Sequence, residues 1–144
     1  DLREARPGIA ITTDIIVGFP GEMDEDYQST RAIVNRIGFD NAFVFRYSQR
    51  RDTPAASMQD QVAEETKEFR NQDLLSVVNR HSREKLNAHI GRRVEILGEG
   101  RSKNNPNRLT GRTRTNKIVV FEGSPPHIGE IFEVQIGPAS ASTL

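Results

Sequence analysis

The chain has 144 residues, 20 Lys plus Arg against 20 Asp plus Glu, 35% hydrophobic residues and no cysteine. Without cysteine these residues hold no disulfide, thiolate zinc site, thiol nucleophile or cysteine-ligated iron–sulfur cluster, and runs such as Ile118–Phe121 fall far short of the ~20 apolar residues that span a bilayer. The zero net charge hides an asymmetry: residues 1–87 carry −3 and residues 88–144 carry +3, with every basic residue of the latter between Arg92 and Lys117.

The first predicted element is a strand from Ile9 to Val17, nearly continuously apolar and therefore expected to be buried on both faces. Gly18-Phe19-Pro20-Gly21 breaks it. Asp24, Glu25 and Asp26 then crowd a first helical turn, where the helix dipole favours negative charge, with Asp24 as the expected N-cap. Tyr27, Thr30, Ile33, Val34 and Ile37 follow at helical spacing, and Gly38 closes the helix. A second strand covers Ala42 to Phe45. Together these form a β-α-β unit with parallel strands. A complete (β/α)₈ barrel takes about 250 residues, so about 60 residues read as the end of a larger α/β domain.

A long helix is expected over Val62–His89, with Phe69, Leu74, Leu75, Val78, Leu86 and Ile90 as its apolar stripe and Gly91 as its stop. From Arg92 the pattern changes to short strands: Val94–Leu97, Arg108–Arg112, Lys117–Phe121, Ile131–Ile136 and a fifth over Ala139–Leu144. Gly, Pro and Asn clusters punctuate them, which suggests a five-stranded barrel of OB type. The fold expectation is therefore α/β plus small all-β, divided as 1–60, a connecting helix 61–90, and 91–144.

Several motifs are absent. Gly98-Glu99-Gly100 lacks the third glycine of a dinucleotide fingerprint, no phosphate-binding P-loop occurs, and there is no nucleophile elbow. His81, His89 and His127 share no ligand spacing, so no metal site and no catalytic residue is assigned. The Gly-Phe-Pro-Gly-Glu loop is different. It follows a parallel strand at the edge where α/β sheets bind ligands, its glycines admit close backbone approach, and Glu22 offers acceptors. In the basic run, Arg101, Lys103, Arg108, Arg112, Arg114 and Lys117, with Asn116, form the footprint expected of a polyanion site. No carboxylate stands between Arg101 and Lys117. Phe121 and Phe132 alternate into the core, so phosphate and shape recognition is expected, with little base stacking.

Thr13-Asp14-Ile15-Ile16-Val17-Gly18-Phe19-Pro20-Gly21-Glu22, then Gly38 to Ser48 and Thr53-Pro54-Ala55-Ala56, closely resemble the radical-SAM tRNA methylthiotransferases. Leu109 to Gly123 resembles the TRAM domain that ends those enzymes, and the type most similar is the MiaB type. The resemblance spans the whole chain. It implies the C-terminal part of a radical-SAM (β/α) partial barrel, the connecting helix and a TRAM barrel. It also implies S-adenosylmethionine and two 4Fe-4S clusters in the parent protein, whose cluster cysteines would lie upstream of this chain. Ile16, Gly18, Phe19, Pro20, Gly21 and Glu22 are then expected beside S-adenosylmethionine, with the backbone near Phe45–Tyr47 more weakly so. The implied partners are the tRNA anticodon stem-loop and the upstream segments of the same protein, in the cytoplasm and without a membrane.

By that resemblance the parent adds a methylthio group to isopentenyladenosine beside the anticodon, using one S-adenosylmethionine for methylation and another for a deoxyadenosyl radical. This chain alone should be inactive. Two other readings stand beside it: a methylthiotransferase acting on a ribosomal protein or on threonylcarbamoyladenosine, and a freestanding RNA-binding module. Two departures from the family pattern are local. Met23 stands where the family often has Thr, and Arg51-Asp52 where it often has Pro-Gly, so the turn before Thr53 is expected to differ in type.

Overall fold

In a computed structural model, the structure describes residues 2–103, 105–123, 127–138 and 143–144. The chain divides into two compact units, Ile11–Ser82 and Asp1–Ala10 with Arg83–Leu144.

Within Ile11–Ser82, β1 (Thr12–Val17) and β2 (Asn41–Arg46) pair in parallel, from Thr12 opposite Asn41 to Val17 opposite Arg46. α2 (Asp24–Ile37) joins the strands; the short helix α1 (Leu2–Ala5), earlier in the chain, belongs to the other unit. A 3₁₀ turn over Pro54–Ser57 leads toward α3 (Glu64–Asn87). The core of this unit comprises Val17, Tyr27, Val34, Phe39, Ala42, Leu74, Val77 and Val78, with Ile15 and Val44 packed against it. Burying a side chain of this size contributes roughly 1.5–3 kcal/mol.

Three expectations need correction here. The first strand is not buried on both faces. Its residues alternate, and Ile16 is 58% exposed on the same side as Phe43 at 60% and Phe45 at 53%. Among the described residues the core packs on the side of Ile15, Val17, Ala42 and Val44, so the period-2 geometry of the strand decides the outcome. The N-cap of α2 is Met23, whose side chain makes no capping hydrogen bond; the Asp26 carboxylate instead accepts the Met23 N–H at 3.0 Å. Asp24 is the first helical residue and spends its carboxylate on Arg70, 2.6 Å away. Finally, Phe69 of α3 is exposed, while Lys67 and Arg70 are buried on the face that continues to Leu74, Val77 and Val78.

Gly38 closes α2 as expected, with φ +56 and its N–H donated to the Val34 carbonyl. Before Thr53, Asp52 has φ +63. Asp is one of the few non-glycine residues that visit this region.

In the other unit, β3 (Arg93–Arg101), β4 (Leu109–Thr113), β5 (Ile118–Phe121) and β6 (Ile131–Gln135) form an antiparallel sheet in the order β5-β4-β3-β6. A bulge at Gly98/Gly100 bends β3. Leu86, Ile96, Val119, Ile136 and Leu144 are buried together, packed by Val94, Phe121, Phe132 and Val134. The Phe121 and Phe132 rings meet edge to face at 5.3 Å, partly buried and packed against this core, the side their alternation implied. The described residues form a four-stranded sheet where a five-stranded barrel was expected; residues 139–142 of the expected fifth strand lie outside the described residues. Leu144 nevertheless donates its N–H to the Ile118 carbonyl at 2.9 Å and accepts the Val120 N–H at 3.0 Å. Leu144 therefore pairs along the free edge of β5, where closure of a small barrel needs a strand.

Candidate functional site

The Gly18–Glu22 loop leaves β1 at the carboxyl edge of the parallel pair. Its shape is set from within: one Glu22 carboxylate oxygen accepts the N–H of Gly18 and, at 3.2 Å, that of Phe19, while the Glu22 N–H reaches the Phe19 carbonyl at 2.9 Å. The other Glu22 oxygen lies 3.2 Å from Arg70, which also donates to the Glu22 carbonyl at 3.1 Å. The acceptors that the sequence offered to a ligand at Glu22 are therefore used to hold the loop closed. Gly21 donates its N–H to the Asp60 carbonyl at 2.8 Å. Gly18 and Pro20 are buried, and Phe19 and Gly21 are exposed.

Beside this loop the chain continues from β2 into Tyr47, whose N–H bonds the Val17 carbonyl at 2.8 Å and whose ring meets Phe19 edge to face at 5.1 Å. The ammonium of Lys67 lies 5.5 Å from the Tyr47 ring centre and 2.7 Å from Glu64. That contact holds the Glu64 carboxyl below the usual carboxylate range, chiefly through the hydrogen bond from Lys67. A cavity of about 620 Å³ lies here, lined by Arg46, Tyr47, Ser48, Gln49, Glu64 and Lys67, among others. The Tyr47 hydroxyl is buried without a hydrogen-bond partner among the described residues. Lys67 and Arg70 were missed in the sequence because on a helix of mostly polar residues nothing local separates an inward cation from a solvated one. Their spacing from Leu74, in steps of three and four, is the signal that was available.

Deeper between α2 and α3, the Tyr27 hydroxyl donates to Asp73 at 2.6 Å, and Arg31 binds the same carboxylate at 2.6 Å. Burial, reinforced by Asp73, pushes the Tyr27 phenol well above its ordinary value, and the hydrogen bonds from Arg31 and then Tyr27 hold Asp73 below the usual range. This network joins the two helices.

The basic run is arranged otherwise than its sequence implied. No carboxylate interrupts it, but strand pairing brings carboxylates to its arginines at 108, 112 and 114. Arg112 lies 3.1 Å from Glu99, Arg114 lies 2.7 Å from Glu95, and Arg108 lies 3.4 Å from Glu122. Asn116, at φ +62, turns the chain between β4 and β5, and its side-chain oxygen accepts from Arg112 at 2.9 Å. The Lys117 N–H bonds the Thr113 hydroxyl at 3.1 Å. Arg101, at the end of β3, and Lys103, just beyond it, are exposed. Exposed pairs of this kind contribute at most about 1 kcal/mol, so a phosphate can compete for each arginine.

No helix among the described residues is long and apolar enough to cross a membrane. Residues 88–144 match the TRAM domain family. Over 143 residues, 99% of the chain, the sequence is 52% identical to the tRNA-2-methylthio-N(6)-dimethylallyladenosine synthase of Akkermansia muciniphila. It is 49% identical to the synthase of that name from Acetivibrio thermocellus and 47% to the one from Methylacidiphilum infernorum, again over 99% of the chain. The chain spans about 30% of the length of these curated relatives. Residues 88–144 thus match the TRAM domain family, within a chain that is similar over 99% of its length to a segment of the tRNA-2-methylthio-N(6)-dimethylallyladenosine synthases.

Proposed function

We propose that the chain is the C-terminal part of a tRNA methylthiotransferase of the MiaB type, acting in the cytoplasm on isopentenyladenosine next to the anticodon. Residues 1–60 are the end of its radical-SAM domain, 61–90 the connecting helix and 91–144 the TRAM domain that binds the anticodon stem-loop. The observation that carries this reading is the end-to-end similarity to the synthases at up to 52% identity, joined to the TRAM match. The parallel strands and the self-bonded Gly18–Glu22 loop support the radical-SAM part.

S-adenosylmethionine, when bound, supplies the methyl and radical chemistry. The carboxyl edge of β1 and β2 suits such a group: Ile16 and Phe45 are register partners on the open face and offer apolar surface to an adenine ring. The buried Tyr47 hydroxyl has a donor to spare. Gly18, Phe19, Pro20, Gly21 and Glu22 then keep the edge in shape rather than bonding the cofactor through Glu22. The 144 residues contain no cysteine and so no thiolate ligand for either 4Fe-4S cluster. On this reading the chain alone has no turnover.

RNA binding is tested by titrating the 144-residue chain with anticodon stem-loop RNA at several salt concentrations. Each phosphate neutralised contributes about −0.7 to −0.9 to the slope of log K against log salt. Arg101→Ala and Lys103→Ala should each weaken binding of every tRNA alike and flatten the slope by about one contact. A slope of zero, or no binding, overturns the RNA role.

A further inference from the structure

Three arginines of residues 88–144, Arg108, Arg112 and Arg114, are engaged before any RNA arrives. Glu95 and Glu99 lie on the outer side of β3, and the β3–β4 pairing sets Leu97 opposite Arg112, which reaches Glu99 at 3.1 Å. Arg114, in the β4–β5 turn, reaches back to Glu95 at 2.7 Å. Across the β3–β6 ladder, Glu95 stands directly opposite Glu133. Like charges in that position repel, and Arg114 is the cation that offsets them. If Arg114 turned to a phosphate, the Glu95–Glu133 repulsion would return and a third negative group would be added nearby. Arg112 is held doubly, by Glu99 and by the side chain of Asn116.

We propose that Glu95 and Glu99 are specificity-determining residues that occupy Arg114 and Arg112 in place of phosphate, so that RNA engages these arginines only by displacing an internal carboxylate. This rests on the RNA-binding reading above and adds a threshold to it. A weak or partial RNA contact does not repay the exchange. An RNA whose shape delivers phosphates to both arginines at once does, because the second exchange then carries little further entropic cost. A paired arginine also adds less to the salt dependence than a free one, since the carboxylate it leaves behind recruits a cation from solution.

The test compares the full 144-residue chain with Glu95→Gln, Glu99→Gln and the double variant, using Glu65→Gln on α3 as a control with the same change in net charge. Each is titrated at several salt concentrations with anticodon stem-loop RNA and with a poly(U) strand of equal length. Each Gln variant on β3 should bind poly(U) about two- to fivefold more tightly and steepen its salt slope by up to about 0.7–0.9, with a smaller gain for the stem-loop. Glu65→Gln should show neither change. Wild-type binding with β3 variants indistinguishable from Glu65→Gln overturns the proposal and leaves the RNA role standing. Absence of RNA binding in every variant overturns the RNA role itself, and the proposal with it. Thermal unfolding checks that each variant is folded; if Glu95→Gln is not, Glu99→Gln carries the same comparison alone.

Discussion

Lys67 fills the space that a side chain at position 18 would need. A Cβ placed on Gly18 overlaps the Cγ of Lys67 and comes 3.1 Å from its Cδ, at a backbone φ of +72. The loop can therefore turn toward the sheet edge, and Lys67 can lie flat over Tyr47, only because residue 18 has no side chain.

Gly18→Ala should accordingly cost about 1–2 kcal/mol for the left-handed backbone, and roughly 1–3 more for overpacking against Lys67. Shortening Lys67 removes the second contribution. Urea denaturation of Gly18→Ala, Lys67→Ala and the double variant checks this: the cost of Gly18→Ala should be smaller in the Lys67→Ala background. Strictly additive costs would show that the two positions do not share the space.

The Tyr27–Asp73–Arg31 network makes stability pH-dependent at both ends. Asp73 titrates below its unfolded value, so its contribution is complete above about pH 4 and fades as pH falls through the lower folded value. Tyr27 titrates above its ordinary value, so its contribution is complete below about pH 10 and is lost at higher pH. Tyr27→Phe should cost about 1–2 kcal/mol near neutrality, for the hydroxyl bonds it deletes, and should remove the alkaline loss that remains in Asp73→Asn. Denaturant midpoints from pH 3 to 11 read both limbs.

Asp52 is a site of gain. With φ +63 it pays a left-handed cost that glycine does not. Asp52→Gly should stabilise the chain by about 0.5 kcal/mol, the difference between that relief and the greater freedom of glycine in the unfolded chain. A lower thermal midpoint in the variant would contradict this.

The open side of β1 and β2 presents Ile16, Phe43 and Phe45, with the two Phe rings stacked at 6.3 Å. An apolar sheet face of this kind promotes self-association. Phe43→Thr with Phe45→Thr should reduce the concentration dependence of sedimentation while leaving the unfolding midpoint within about 1 kcal/mol of wild type, because neither ring lies in the core.

What could be read in the sequence was whatever is written in short stretches of chain. The ends of α2 were legible to within one residue because Asp24–Asp26 suit the dipole of the first turn, Asp26 accepts the Met23 N–H and Gly38 donates to Val34. The parallel pair followed from a helix standing between two strands, and the core roles of Phe121 and Phe132 from alternation. Tertiary structure decided the rest, because it depends on neighbours distant in sequence. Ile16 and Val17 are equally apolar, yet one is exposed and the other buried, since α2 and α3 cover only one side of the sheet. Glu22 looked free for a ligand until Arg70 arrived from α3, and Arg112 looked unopposed until the β3–β4 ladder set Glu99 beside it. Charge and apolarity are properties of residues; whether either is available to a partner is settled by which surfaces the folded chain has already used.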